Sequence, residues 1–308
     1  MRGRRGPAVA TALLCAALAT AGCGLGAGAE VGSVELTVTR DYGAAPMLRT
    51  SVEVQESDTV MRVLEGEAEI ETRYGGGFVK TIEGVSQQQS SGSGGPYDWF
   101  FYVDGVESPV GAAEVRLEGA ERVWWDYRDW SATNHVPAVV GSWPAPFADG
   151  IGGRRHPVVV ECREGGAACG EARTALRREG VEIASGSSGK AIRVLVGPWQ
   201  SLRTDATAKL IEAGPAESGV FADFEATGDG YEVVALEDEG GRARRLGPDA
   251  GLVAATSRYG GLPVWVVTGG TASSVQAAAK VLDATSLRDH YAVAIKGPLL
   301  YPLPLQTP

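Results

Sequence analysis

The side chains of this 308-residue chain that offer chemistry are few and scattered. Its three histidines, His135, His156 and His290, lie far apart. No HExxH, paired CxxC or GxSxG occurs, so neither a zincin-type metal site nor a nucleophile elbow is encoded. Asp126 and Asp129 sit among tryptophans, but strand side chains alternate, so this odd spacing puts them on opposite faces. Carboxylates that share a proton need the same face. In "TGGTASSV" (Thr268–Val275), Gly269, Gly270 and three hydroxyls stand where a strand meets a helix, a geometry that offers N–H groups to an anion. The same residues make an ordinary capped helix start, and that is the reading taken. "GSSGKA" (Gly186–Ala191) is not a P-loop, because Ala184 and Ala191 stand where the motif needs Gly and Ser/Thr. No catalytic constellation or metal site emerges, and the expectation is a protein that is not an enzyme.

What is concentrated is aromatic surface. "YDWFFYVDG" places five rings between Tyr97 and Tyr102, and "RVWWDYRDW" (Arg122–Trp130) repeats the habit. As strands, the first run puts Tyr97, Trp99 and Phe101 on one face and Phe100 and Tyr102 on the other. In the second, Trp124 and Trp130 share a face, while Trp125 and Tyr127 share the opposite one. One helix buries one side of a thin sheet. The other side then exposes rings unless a later segment covers it. Two readings follow: a stacking platform for a flat or amphipathic ligand, or strands packed on both sides. On the first, the candidate ligand-binding residues are Trp99, Phe101, Tyr102, Trp124, Trp125, Tyr127 and Trp130.

Charge bounds the partners. The formal net charge is −10, which argues against nucleic acid, since phosphate neutralisation needs clustered Lys/Arg. "MRGRRG" followed by "PAVATALLCAALATA" has the basic and apolar regions of an export signal over residues 1–22. Four cysteines are present. Cys15 leaves with the signal, and Cys162 and Cys169, in "ECREGGAACGEA", suit a disulfide in an oxidising compartment.

Residues 23–32 read as a Gly-rich tether. Residues 33–130 alternate strand patterns with one helix whose apolar face is Val60, Val63 and Leu64, entered at Ser57 or Asp58. Residues 131–150 form a proline-punctuated arm carrying Val136, Val139, Val140, Trp143 and Phe147. Residues 151–308 change texture. Three strand–helix–strand units, with "YEVVALEDEGGRARRLG" as an interposed hairpin, predict an α/β domain with a largely buried sheet. The whole is an α+β chain whose N-terminal part combines a mixed sheet with one helix.

Two resemblances add to this. "TAGC" (Thr20–Cys23) resembles a bacterial lipobox, which makes Cys23 the lipidated N-terminus and holds the protein on a membrane; ordinary cleavage after Ala21 or Ala29 is the alternative. "YDWFFYVDGVESPVGAAEVRLEGAERVWWDY" resembles the C-terminal domain of transcobalamin and the related bacterial DUF4430 domains. Trp99, Tyr102, Asp104, Gly105, Gly111, Gly119, Glu121, Trp125 and Tyr127 carry the match. The resemblance implies a β-grasp fold and, in transcobalamin, a lid over cobalamin. A corrinoid is therefore the ligand it suggests, as cargo and not as a resident cofactor. His135, in "TNHVP", is a candidate axial ligand to such a metal or simply a turn histidine. The large helical domain that completes the transcobalamin pocket has no counterpart in the sequence. The expected function is an envelope lipoprotein binding a soluble ligand, or a module docking an envelope protein or glycan.

Overall fold

The structure is a computed structural model describing residues 28–89, 95–164, 166–186, 190–228, 230–237 and 243–306. The expected signal segment and Cys23 lie outside the described residues. The described chain is α+β and mostly sheet.

Strands β1 (Glu30–Arg40) and β2 (Ala45–Gln55) pair antiparallel. The helix Val60–Glu67 follows and buries Val60, Met61, Val63 and Leu64, the i, i+3, i+4 spacing of one face. Its cap is Thr59, whose hydroxyl accepts the Arg62 N–H at 3.3 Å, and not Ser57 or Asp58. The Asp58 carboxylate instead accepts the Gln55 N–H at 2.8 Å and closes the preceding turn. Three short strands, β3 (Ile70–Arg73), β4 (Phe78–Ile82) and β5 (Val85–Ser86), form a small sheet of their own. The aromatic runs are β6 (Tyr97–Val103) and β8 (Arg122–Asp129), with β7 (Val106–Glu107) between them. The first sheet has the order β2-β1-β8-β6-β7, with β1 and β8 parallel and the other pairs antiparallel.

The C-terminal half supplies β9 (Val158–Cys162), the helix Gly166–Arg178, β10 (Ile192–Val196), β11 (Ala222–Thr227), β12 (Gly230–Leu236) and β13 (Ala243–Gly247). It ends with β14 (Gly251–Thr256), β15 (Val264–Gly269), the helix Ala272–Lys280, β16 (Ala292–Lys296) and β17 (Leu299–Leu303). The six-stranded sheet runs β17-β16-β14-β15-β10-β9. Only β9, β10 and β15 are mutually parallel, as the strand–helix–strand pattern predicts. The other half of the sheet is antiparallel because β14, a wholly buried strand, inserts between β15 and β16. "VEIAS" gives only a bridge at Ile183. "SLRTDATAKLIEAG" breaks into short turns, where the Asp205 carboxylate accepts the N–H groups of Thr207 and Ala208 at 3.0 and 3.2 Å. β11 leaves the main sheet and pairs with β12, which pairs with β13.

Three apolar cores result. One lies under the helix Val60–Glu67 and contains Val34, Leu36, Trp99 and Trp125. A second lies under the two long C-terminal helices and takes Val140, Trp143 and Phe147 from the arm. The third joins the halves, with Tyr42, Tyr102, Trp124, Val136 and Val139 packed among Trp199, Phe221 and Tyr291.

Candidate functional site

The aromatic residues do not form an exposed wall. Trp99, Tyr102, Trp124, Trp125 and Tyr127 are each at most 9% exposed, and only Phe101 and Trp130 are partly open. On the helix side, Phe101 stacks on Trp125 with centroids 4.8 Å apart. There the Trp99 indole N–H donates to the Val85 carbonyl at 3.0 Å, and the Tyr127 hydroxyl to that of Ser86 at 2.7 Å. On the opposite side, Tyr102 and Trp124 both meet the edge of Tyr291, at 5.6 and 5.3 Å. The platform expectation fails on this face for a simple reason: the C-terminal half covers it, and apolar rings gain more from that burial than from water.

The covered face also holds charge. Arg128 is fully buried, its guanidinium carbon 3.7 Å from the Phe100 ring centroid. One of its nitrogens donates to the carbonyls of Asp129 and Thr133, at 3.3 and 2.8 Å. Asp126 accepts the Thr39 hydroxyl at 2.5 Å, the Gly43 N–H at 3.1 Å and the Tyr291 hydroxyl at 3.0 Å. Burial pushes its pKa up to about 6 despite these donors. Asp129 has other partners, the N–H and hydroxyl of Ser131. The two aspartates form no pair, as their parity predicts. Gly43 has φ +86°, and a Cβ there would sit 1.8 Å from the Asp289 carbonyl oxygen. A Cβ on Gly141 would lie 2.8 Å from the His290 nitrogen. The loop at 289–290 is thus clamped between two glycines.

An open cleft of about 390 Å³ lies at the end of β6. Its apolar lining is Val103, Val106, Pro109, Val110, Val115 and Ile151, with Glu107, Arg116, Glu118 and Glu121 also facing it. The motif residues build its frame. Asp104 and Gly105 have φ +53° and +77°, the paired left-handed conformations of a tight hairpin. The Asp104 carboxylate accepts the Arg122 N–H at 3.0 Å, and burial raises its pKa to about 7. The Glu121 carboxylate accepts the N–H groups of Glu118, Gly119 and Ala120 at 2.7, 2.8 and 3.0 Å. The sequence reading named Asp104, Gly105, Gly119 and Glu121 but missed the valines and Ile151. Short valine-rich stretches beside a turn carry no mark of lining a cavity.

The remaining candidates are dispersed. His135 pairs through Nδ1 with the Glu107 carboxylate, and that hydrogen bond raises its pKa. His290 is largely buried and its pKa is lowered by desolvation. His156 lines a different cleft, with Arg155 and Glu182. Among the described residues no group of three or more His, Cys, Asp or Glu could hold a metal ion. The Thr271 and Ser274 side chains form a capping box for the helix Ala272–Lys280. Cys162 and Cys169 form the expected disulfide. No described helix is long and apolar enough to cross a membrane.

No curated protein matches the chain. Among solved structures, a Ruminococcus gnavus ATCC 29149 protein described as a "putative metal binding protein" is similar over 32% of this chain and 97% of its own. Its identity is 14% and its TM-score 0.24. Residues 57–129, from the helix entry to the end of β8 and including the cleft-forming hairpin, match the family model described as "Domain of unknown function (DUF4430)".

Proposed function

We propose that this chain is a non-catalytic binding protein of the cell envelope, exported by its leader and lipid-anchored through Cys23. Its DUF4430 region receives an apolar small molecule in the cleft beside the Asp104–Gly105 hairpin. The observation that carries this reading is the 390 Å³ valine- and isoleucine-lined cleft framed by motif residues of the family-matched segment. That volume lies at the small end of ligand pockets, so a corrin ring would enter by an edge and smaller apolar ligands fit better. The strand order, with parallel β1 and β8 at the centre beside one helix, supports a β-grasp reading of residues 33–130. In this reading the arm 131–150 and the α/β domain 151–308 serve as its cover.

Titration with a neutral apolar dye such as Nile red, and separately with hydroxocobalamin, tests the cleft. Saturable binding abolished by Val106→Trp, with unchanged circular dichroism, supports it. Dye binding that Val106→Trp leaves intact refutes it. Lipid-precursor labelling of wild type and Cys23→Ala tests the anchor, and label that survives the substitution refutes that part.

A second reading, docking of an envelope polypeptide or glycan, is favoured by Tyr74 and Tyr259, which are 86% and 103% exposed beside glycines. Rings offered on loops suit contact with another surface. Retention of envelope material that Tyr74→Ala and Tyr259→Ala abolish supports this alternative.

A further inference from the structure

A second, polar cleft of about 160 Å³ opens on the seam between the two halves, away from the apolar one. Three guanidinium groups line it, Arg49 on β2, Arg122 at the start of β8 and Arg288 on the loop before β16, together with the carboxylates of Glu35 and Asp289. Two are held in place. Arg49 pairs with Asp289 at 2.5 Å, while Arg122 donates to the Trp143 carbonyl at 2.9 Å and lies 3.5 Å from Glu35. Arg288 has no hydrogen bond or ion pair among the described residues, so one cation is uncompensated in a strongly acidic protein. Two hydroxyls share the cleft. Thr37 is 7% and Ser142 4% exposed, and neither hydroxyl has a partner within the chain. Both hydroxyls and the exposed Arg288 guanidinium are therefore donors that face one small opening with no partner in the protein, an arrangement that suits a ligand accepting hydrogen bonds from them. The segment after Arg288 is closely packed, because Gly43 and Gly141 approach the backbone of residues 289–290 from two sides. Such preorganisation lowers the ordering entropy of binding.

We propose that this cleft binds a phosphate group. Guanidinium forks and hydroxyls from several chain segments outnumber what a planar carboxylate with two oxygens can accept. A tetrahedral oxyanion with three or four acceptor oxygens matches them. The group is either free phosphate or the end of a larger ligand. The site is independent of the apolar cleft and does not rest on the function proposed above.

Calorimetric titration of the full chain at low ionic strength, with inorganic phosphate and with phenyl phosphate, tests it. The expected result is saturable one-to-one binding, weakened about tenfold by Arg288→Gln, the scale of one charge-assisted hydrogen bond. Thr37→Val weakens it as well, with an unchanged melting profile, and added salt weakens it further. Tighter binding of phenyl phosphate identifies the terminus of a larger ligand, and tighter binding of inorganic phosphate identifies the free ion. Val106→Trp leaves phosphate affinity unchanged, so the two clefts stand or fall separately. Absence of saturation by both ligands, or affinity indifferent to Arg288→Gln, overturns the proposal.

Discussion

The Tyr291 hydroxyl donates to the Asp126 carboxylate at 3.0 Å, joining two residues 165 positions apart across the seam. Both are buried, so the pair has no water to fall back on. Tyr291→Phe leaves Asp126 with the Thr39 and Gly43 donors only. The expected cost is about 1–2 kcal/mol in urea denaturation, with the far-ultraviolet spectrum unchanged.

The rings on the covered face act as core. Trp124→Ala should cost about 3–5 kcal/mol, the range for deleting a buried large aromatic. Trp130→Ala, at a half-exposed position, should cost well under half of that. Equal losses in thermal unfolding would contradict the burial difference.

Acid should stabilise the fold over part of the range. The pKa values of Asp104 and Asp126 are raised to about 7 and about 6, above the ordinary carboxylate value in the unfolded chain. A raised folded pKa means that the folded state holds the proton more tightly. The stabilisation is full below about pH 4 and is lost as pH rises through 6 and 7. For these two groups the midpoint of urea unfolding should therefore climb from pH 8 to pH 5. Asp104→Asn keeps the left-handed turn conformation available and should flatten that slope.

The Cys162–Cys169 bond closes a short loop at the end of β9. Chain-entropy arguments give about 2.5 kcal/mol for a loop of this size. Replacing both by serine should lower stability by about that amount. Reductant should do the same to the wild type and nothing to the variant.

The Glu107 carboxylate also accepts the Val136 N–H at 3.0 Å, so it fixes the start of the arm as well as His135. The His135 ring should titrate above an ordinary histidine by nuclear magnetic resonance, and Glu107→Gln should bring it down.

Local pattern made the first half legible. Period-two alternation marks β1, β6 and β8, and Asp104–Gly105 marks the hairpin. The helix and its apolar face are equally plain, although the cap is Thr59, because three candidate caps stand in a row. What covers the aromatic strands was not legible. Tyr42 and Phe221 carry no sign of meeting, yet their ring centroids are 5.1 Å apart. β14 also escaped, since "GLVAAT" is a short apolar run without alternation, and only its burial between β15 and β16 shows it to be a strand. The phosphate-sized cleft draws its donors from Thr37, Arg49, Arg122, Ser142 and Arg288, a grouping that no linear spacing announces.

Because Tyr291, one partner of the Trp124 face, lies far downstream of it in the sequence, that face is fully covered only late in synthesis. The first sheet is complete by residue 129, but Tyr291 emerges only after more than half the polypeptide has followed it. A growing or prematurely terminated chain therefore displays a sticky half-surface. A chain cut before Tyr291 would keep part of that surface available for clumping, so quality control of this protein turns on whether the segment carrying Tyr291 arrives.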